Sequence, residues 1–565
     1  MTAQPLRSAQ PLRVVLVGYG PVGARFVEGL LDTVEGGTVA LTVVGAETDD
    51  AYNRVLLAEF AVGRSTRDRL ETTDTAAARV AGVSIRLGEA AVGLDRVRQT
   101  VRLDTGDLLP YDRLVFATGA RANIPTLEGL ERSRRSRLEV SPSAERMDRG
   151  TAPLPDGVIA LRDLRDAAAL RTAIESRARL VVLGAGVLGI ELALAAAEQG
   201  AEVVAVYHGD IPMARNLDTG GGRVLASAAR RAGVVMAPHS RAESVLLRHD
   251  NTGRAHFDAL VCADGKQIGG DLLVLSCGVS ARTELAAAAQ LTVSAGIVVD
   301  SMLRSWDDVN VFAIGDCAHI VERTDGDAAR RGPGERPSSE RAPAARIFGA
   351  PSGLIGPGWR QADWLAASLV REATTLAGPA AAAGAADAAA ATSAALPSVL
   401  AAERPSVVML KAEGVDIVSG GDYSADLWDD AHEVTQWADP ARGSYVKLVT
   451  EGGVLTGFVS AGCPRLGAEL TLLFESRGEL PADRSSLLHL DGTGAAESVG
   501  SDPLAPHATV CWCNGVTVGR ITEVVAEGQR TVECVGKATR AGTGCGGCKG
   551  RIAEIIALAA PVAAI

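Results

Sequence analysis

Several features are missing from this 565-residue sequence, and each absence removes a class of function. The chain lacks a basic excess: its formal net charge is −12 and its pI is about 5.3, which argues against a nucleic-acid or anionic-membrane partner. Residues 1–13 contain no apolar core, so we expect neither a signal peptide nor an anchor. The Ala-rich stretch around 376–396 is too weakly apolar to span a membrane, and Asp387 interrupts it. We therefore expect a cytoplasmic protein.

Cysteine is absent before Cys262, yet four of the nine cysteines are grouped near the C-terminus, in the patterns C-W-C-N-G-V and G-T-G-C-G-G-C-K-G: Cys511, Cys513, Cys545 and Cys548. Four thiolates can hold a [2Fe–2S] cluster, and adjacent glycines relieve crowding and offer N–H donors to sulfur. A structural zinc site is the alternative, although zinc sites usually have C-x2-C on both sides and the first pair here is C-x-C. A disulfide is disfavoured by the odd cysteine count and the missing signal peptide.

A first nucleotide-binding pattern follows the apolar run at residues 13–17. Gly18, Gly20 and Gly23 come next, a helical pattern follows, and the next strand ends at Glu47. This order is typical of a dinucleotide-binding unit. We expect Gly18 to make the turn, Gly20 to admit the pyrophosphate to the helix N-terminus, and Gly23 to pack helix on strand. Glu47 is predicted to accept hydrogen bonds from the ribose.

The same pattern returns at residues 179–208 with Gly184, Gly186 and Gly189, and Glu191 follows. Two units predict two dinucleotides, a tightly held flavin and a diffusible nicotinamide cofactor. His208 occupies the place where an acid would favour NADH, and no arginine follows it directly to bind a 2′-phosphate. The choice between NADH and NADPH stays open, and an ordinary exposed histidine is the alternative interpretation of His208.

Two shorter patterns accompany the two glycine-rich patterns: A-T-G-A at 117–120 and G-D at 315–316. The order of these four patterns along the chain resembles that of the two-dinucleotide-fold pyridine-nucleotide reductases. Residues 51–57 (AYNRVLL), 353–362 and 410–422 are similar to segments of assimilatory nitrite reductase large subunits and of nitrate reductase electron-transfer subunits. The C-terminal cysteines resemble those of bacterioferritin-associated-ferredoxin domains.

The resemblance implies an α/β, two-dinucleotide-binding (Rossmann-like), pyridine nucleotide-disulfide reductase-like fold, with a small α+β domain and a C-terminal bacterioferritin-associated-ferredoxin-like [2Fe–2S] domain. The length alone predicts three or four domains. We divide the chain into an FAD-binding domain in two parts, an inserted NAD(P)-binding domain and C-terminal segments: 1–165 (FAD, first part), 166–290 (NAD(P)), 291–375 (FAD, second part), 376–404 (Ala-rich linker), 405–478 (α+β), 479–507 (linker) and 508–565 ([2Fe–2S]).

Motifs and resemblance together give a set of expected site residues for each cofactor. For FAD they are Gly18, Gly20, Pro21, Val22, Gly23, Glu47, Arg54, Ala91, Ala117, Thr118, Gly119, Arg121, Gly315, Asp316 and Gln361. For NAD(P)H they are Gly184, Gly186, Val187, Leu188, Gly189, Glu191, His208, Cys277 and Gly278. For the cluster they are the four C-terminal cysteines. No general acid or base is expected, because hydride transfer requires only stacked cofactors.

This sequence lacks cysteines that some of the similar reductases have, and these differences exclude several enzyme classes. The cysteine-free N-terminal part lacks the redox disulfide of glutathione-reductase-like enzymes and the reactive thiol of NADH oxidases. The remaining cysteines lack the spacing of a sirohaem ligand set: Cys262, Cys277, Cys317, Cys463 and Cys534. We therefore expect electrons to leave to a partner, by resemblance a molybdenum-containing nitrate reductase catalytic subunit. The alternatives are a split nitrite reductase, a rubredoxin or ferredoxin-type reductase, or a non-catalytic redox sensor. The oligomeric state stays open.

Four segments rich in Arg, Ser, Pro, Gly or Ala are predicted to be exposed and loosely packed: 131–157, 321–350, 374–405 and 479–507. The last would tether the cluster domain and let it move between flavin and partner.

Overall fold

The structure is a computed structural model that describes residues 10–71, 73–130, 154–322, 349–377, 399–400, 407–412, 414–491, 504–506, 508–511, 514–544 and 546–559. Cys513, Cys545 and most of the first three predicted linkers lie outside these ranges. Within the described residues the predicted α/β fold with two nucleotide-binding layers is confirmed.

The first layer is an eight-stranded sheet with a parallel centre. In spatial order its strands are Ala318–Ile320, Ile297–Val299, Arg304–Ser305, Asp308–Ala313, Arg113–Phe116, Leu12–Val17, Val39–Gly45 and Ser84–Leu87. Leu12–Val17 pairs in parallel with both of its neighbours, so its carboxyl end, where Gly18 follows, lies at the sheet edge where ligands bind. Val14 and Leu16 are fully buried, because central parallel strands are covered on both faces.

Helices and small sheets surround this layer. The long helix Ile355–Ala377 packs on helix Pro21–Glu28, which begins directly after the first glycine turn with proline as its first residue. The shorter helices are Leu31–Glu35, Leu57–Ala61, Arg67–Leu70, Thr75–Val80 and Glu284–Ala288, with 3-10 turns at Arg54–Leu56 and Gly315–Cys317. An antiparallel sheet is formed by Ala91–Asp95, Thr100–Leu103 and Leu108–Pro110.

The second layer is a five-stranded parallel sheet ordered Val235–Ala237, Val203–Val206, Leu180–Leu183, Leu272–Leu275 and Val158–Ile159. Its helices are Leu164–Glu175, Val187–Glu198 and Thr219–Arg231. An antiparallel sheet of Ala242–His249, Ala255–Cys262 and Gln267–Gly269 adjoins it.

The limits of this second layer differ from those predicted at 166 and 290. Val158–Ile159 already pairs with Leu272–Leu275, so the layer begins before residue 166. Val279–Ala281 pairs with Ala120–Ala122 of the first domain, so the chain leaves the layer before residue 290. Strands of two and three residues are too short for their periodicity to mark a boundary in the sequence.

The third domain is an antiparallel sheet ordered Val407–Ala412, Val415–Gly421, Val454–Ala461, Ser444–Glu451 and Glu433–Asp439, with helix Pro464–Ser476 packed on it. The prediction that 479–507 is a loosely packed linker is wrong for its first part. A 3-10 segment at Arg484–Asp491 packs on the helix, Leu480 and Leu487 are buried, and the Asp491 carboxylate accepts hydrogen bonds from the N–H groups of residues 465 and 466 at 3.0 and 2.9 Å. The segment is mostly polar and contains only a few leucines, so its sequence did not indicate that it packs.

The C-terminal domain is a short hairpin of Thr509–Cys511 with Val516–Thr517, followed by helices Val518–Ala526, Val532–Thr539 and Lys549–Ala559. Among the described residues, its apolar core is formed by positions between 504 and 559, which include the fully buried Ile521, Val535 and Ile552.

Candidate functional site

The three glycines of the first turn have different surroundings. Gly18 has φ +111°, and a Cβ there would lie 2.2 Å from the carbonyl oxygen of Ala117. A Cβ at Gly23 would lie 2.3 Å from the oxygen of Gly18. At Gly20, by contrast, the nearest atom to a Cβ would be Arg54 Nε at 3.8 Å. The outer glycines therefore allow the backbone to close, and the middle one leaves open space at the N-terminus of helix Pro21–Glu28.

The second turn repeats this arrangement. Gly184 has φ +114°, and its Cβ would lie 2.2 Å from the oxygen of Ser276; a Cβ at Gly189 would lie 2.1 Å from the oxygen of Gly184. A Cβ at Gly186 would meet no atom within 4 Å. Both turns thus offer an open approach to a helix N-terminus, which fits the pyrophosphate of a dinucleotide.

A continuous cavity of about 3700 Å³ connects the first glycine turn with the helix that follows the second turn, Val187–Glu198, and with the C-terminal domain. Of the predicted FAD residues, thirteen line it: Gly18, Gly20, Pro21, Val22, Glu47, Arg54, Ala91, Ala117, Thr118, Gly119, Arg121, Gly315 and Asp316. Of the predicted NAD(P) residues, Val187, Leu188 and Glu191 line it, and so do two predicted cluster ligands, Cys511 and Cys548. The structure therefore brings residues from all three predicted sites to one space.

Other predicted residues lie outside the cavity lining: Gly23, Gln361, Gly184, Gly186, Gly189, His208, Cys277 and Gly278. Gln361 is buried and its Oε1 accepts a hydrogen bond from the N–H of Gly315 at 2.7 Å, so it supports the Gly315 turn. His208 is exposed beyond the strand Val203–Val206. Burial raises the pKa of the half-buried Cys277 thiol to about 11, as expected for a packed and unreactive cysteine.

Glu47, predicted to bind ribose, already has two protein partners. Its carboxylate accepts hydrogen bonds from the Tyr52 hydroxyl at 2.8 Å and from the Arg54 guanidinium at 2.5 Å. Arg54 also lies over the Tyr52 ring, 4.7 Å from its centroid. These contacts fix the acid at the end of its strand and place a positive charge beside it, in the cavity where FAD is expected.

Two further arginines line the cavity, although neither was among the residues expected from the sequence: Arg162 is partly buried and Arg282 is exposed. The Nε of Arg162 donates to the carbonyl of Ala120 at 3.2 Å, and its guanidinium lies 3.5 Å from the Asp316 carboxylate. Arg282 is held through its backbone, which donates to the oxygen of Gly119 at 2.9 Å. Loss of hydration within the cavity lowers the pKa of both side chains. Both follow very short strands, Val158–Ile159 and Val279–Ala281, which are too short to be recognised from the sequence.

The cluster loops are described in part. The Cys511 side chain is buried, and the Nδ2 of Asn514 lies 3.7 Å from its sulfur. A hydrogen bond from the Cys548 thiol lowers the pKa of Cys511 to about 6, and the N–H groups of residues 542 and 514 act in the same direction. Hydrogen-bond donors directed at one thiolate, with a second cysteine beside it, fit a site for an iron–sulfur cluster. The other two predicted ligands, Cys513 and Cys545, lie outside the described residues.

With this geometry in place, comparison with known families is informative. A model of the pyridine nucleotide-disulphide oxidoreductases matches residues 12–346. The chain belongs to the pyridine nucleotide-disulphide oxidoreductase family. The BFD-like [2Fe-2S] binding domain matches residues 509–557. This pyridine nucleotide-disulphide oxidoreductase therefore uses FAD, NAD(P)H and a [2Fe–2S] cluster, as the three groups of motifs predicted.

Relatives of this oxidoreductase are similar to it along nearly its whole length. The NAD(P)H nitrite reductase of Bacillus subtilis (strain 168) is 25% identical over 547 residues, which are 96% of this chain and 57% of that protein. The assimilatory nitrate reductase electron transfer subunit of the same organism is 24% identical over 549 residues, 96% of this chain and 59% of that protein. The chain spans about half the length of the nitrite reductases it matches.

A solved structure confirms the fold of the reductase portion. The covalent putidaredoxin reductase–putidaredoxin complex superposes with a TM-score of 0.61 at 19% identity, covering 85% of this chain and 99% of that one. Among the helices that the structure describes, none has the length and apolar character that a membrane crossing requires.

Proposed function

We propose that this chain takes electrons from NAD(P)H and delivers them, through FAD and its [2Fe–2S] cluster, to a separate protein, the molybdenum-containing catalytic subunit of an assimilatory nitrate reductase. The observation that carries the proposal is the shared cavity, which is lined by both nucleotide-binding regions and by Cys511 and Cys548. When bound, FAD accepts a hydride from NAD(P)H, and its electrons can then pass singly to an iron–sulfur centre.

The chain itself contributes the positions of the cofactors and the charges that surround them. The open space at Gly20 and Gly186 admits one pyrophosphate to each turn, where helix N-termini attract the negative charge. Cys511, Cys513, Cys545 and Cys548 are the proposed cluster ligands. The remaining FAD and NAD(P) residues keep the roles predicted from their motifs, with Gln361 acting through Gly315.

Positive charge at the cavity wall is a further contribution. Arg162 and Arg282 line the cavity, where Arg162 is partly buried and Arg282 is exposed, and their described acidic neighbours are Asp316 and Glu284. Fixed positive charges that face a bound group stabilise negative charge on it. We infer that these two arginines favour the reduced state of the bound flavin.

The nitrate reductase assignment is supported by the relative named as an electron transfer subunit, which matches along 96% of this chain. A second candidate is the reductase chain of a nitrite reductase assembled from two chains, favoured by relatives of that name at 25–28% identity. Both candidates use the same cavity and differ only in the acceptor.

Two assays test the proposal. Anaerobic mixing with NADH or NADPH should bleach the flavin absorbance rapidly; slow or absent bleaching would contradict an enzymatic role and favour a redox sensor. The loaded chain is then combined with the purified molybdenum subunit, or with a sirohaem nitrite reductase chain. NAD(P)H-dependent nitrate reduction with the first supports our proposal, and nitrite reduction with the second alone would replace it.

A further inference from the structure

The C-terminal domain contacts the first domain through Asn53. This side chain is 1% exposed, and its Oδ1 accepts a hydrogen bond from the N–H of Val55 at 3.0 Å, which caps the 3-10 turn Arg54–Leu56. Its Nδ2 donates to the carbonyl oxygens of Thr543 and Gly544 at 3.1 and 2.7 Å. The Asn53 amide therefore links the turn that carries Arg54 to the loop that directly precedes Cys545.

A second contact joins the two domains through opposite charges. Arg540 ends helix Val532–Thr539 in the left-handed conformation, with φ +63°. Its guanidinium lies 2.5 Å from the carboxylate of Glu28, the last residue of helix Pro21–Glu28. The Arg540 side chain is 41% exposed and that of Glu28 is 21% exposed, and the Glu28 Oε2 atom that meets the guanidinium is itself buried.

Both contacts lie close to the predicted cluster ligands. The Arg540 carbonyl accepts a hydrogen bond from the Asn514 Nδ2 at 2.7 Å, and the same amide lies 3.7 Å from the Cys511 sulfur. Thr543 Oγ1 also donates to the Arg540 carbonyl, at 2.8 Å. Fixing Arg540, Thr543 and Gly544 against the first domain therefore fixes the loops that hold the cluster.

The contacts through Asn53 and Glu28 are hydrogen bonds and an ion pair. In the part of the chain that the structure describes, the apolar core of the C-terminal domain includes no residue of the FAD domain. We propose that Asn53 and Glu28 of the FAD domain form a docking surface that receives Thr543, Gly544 and Arg540 and holds the cluster loops at the cofactor cavity for electron transfer. This proposal rests on the proposed function.

Three variants test the docking surface in the full chain loaded with FAD and cluster. Asn53→Asp keeps the cap on Val55 but turns an acceptor toward two carbonyl oxygens, so it should disfavour docking strongly. Arg540→Gln removes one partly exposed ion pair and should act more weakly. Glu28→Arg combined with Arg540→Glu reverses the pair and should restore docking. Arg520→Gln is the matched control, because Arg520 pairs only within its own helix, with Glu523.

Two readouts are combined for each variant. Stopped-flow absorbance after mixing with NADH gives flavin bleaching and cluster reduction separately. We expect unchanged bleaching in all variants, cluster reduction slowed at least about tenfold in Asn53→Asp, slowed roughly two- to fivefold in Arg540→Gln, and normal in Arg520→Gln and in the reversed pair. Hydrogen exchange should rise in peptides covering 53–56 and 540–544 in the two docking variants only.

The outcomes separate the two proposals. If the unmodified chain bleaches its flavin but never reduces its cluster, the proposed function fails. If it reduces its cluster, and Asn53→Asp and Arg540→Gln match it in both readouts, the docking surface is wrong. Slowed cluster reduction with rescue by the reversed pair supports it, because a general loss of structure would not be rescued.

Discussion

Gly186→Ala tests most directly whether the second glycine turn holds the nicotinamide cofactor. A Cβ at Gly186 would meet no protein atom within 4 Å, and its φ of −74° with ψ −178° suits any residue. The fold should therefore accept alanine. The added methyl would occupy space at the helix N-terminus where we expect the pyrophosphate. A methyl forced into a close contact costs roughly 1–3 kcal/mol, which corresponds to a factor of about 5–150 in affinity.

Two other glycines serve as comparisons for this prediction. In Gly184→Ala the Cβ would lie 2.2 Å from the Ser276 oxygen at φ +114°, so that variant should lose stability. In Gly20→Ala the nearest atom would be Arg54 Nε at 3.8 Å, so the fold should survive while FAD is lost. The tolerated pair, Gly20→Ala and Gly186→Ala, therefore separates the two cofactors.

The assay is anaerobic flavin bleaching at a series of NADH and NADPH concentrations, with FAD content, iron content and the melting temperature measured alongside. Gly186→Ala should keep all three at the values of the unmodified chain, while the half-saturating nicotinamide concentration rises about 5–150-fold. An unchanged half-saturating concentration would refute the reasoning. So would loss of FAD with normal nicotinamide saturation, because the roles of the two turns would then be exchanged.

Three further predictions concern cysteines and packing. Cys545→Ser removes one proposed cluster ligand, so iron content and electron transfer to the partner should fall while NAD(P)H still bleaches the flavin. If flavin bleaching and transfer to the partner both survive, electrons do not pass from the flavin through the cluster to the partner. Burial raises the pKa of Cys277 to about 11, so in native protein Cys277 should resist iodoacetamide at pH 8 and react faster as the pH approaches 11. Cys277 should react readily after unfolding in urea, and equal rates for Cys277 in native and unfolded protein would contradict this. Gly220→Ala would place a Cβ 2.2 Å from the Tyr445 ring and should lower the free energy of unfolding by roughly 1–3 kcal/mol, whereas an unchanged denaturant midpoint would show that the ring moves freely.

The predictable parts of the fold are those that depend on residues close together in the sequence. The turns at Gly18 and Gly184 combine a buried strand, fixed glycine spacing and a helix within about thirty residues, and each step constrains the next. The close approaches of Gly23 to Gly18 and of Gly189 to Gly184 are the physical reason for that spacing. The order of these local units was enough to predict the fold class.

Features that depend on distant residues were not predictable. Asn53 meets Gly544, 491 positions away, and Arg162 meets Asp316, 154 positions away. Asparagine and arginine are common on surfaces, and only the folded chain shows that Asn53 is buried, that Arg162 is partly buried, and that both have specific partners. The packed segment 484–491 escaped prediction for a similar reason, since Leu487 becomes buried only against a helix formed earlier in the chain.

The central claim is that electrons pass from the nicotinamide through FAD to the cluster. Its most direct test is an anaerobic titration of the loaded chain with NADH or NADPH, followed by flavin absorbance and by the electron paramagnetic resonance of the cluster. Our account predicts that the cluster becomes reduced after the flavin, and that added acceptor subunit reoxidises it. A cluster that stays oxidised beside a fully reduced flavin, even with the acceptor present, would contradict the account.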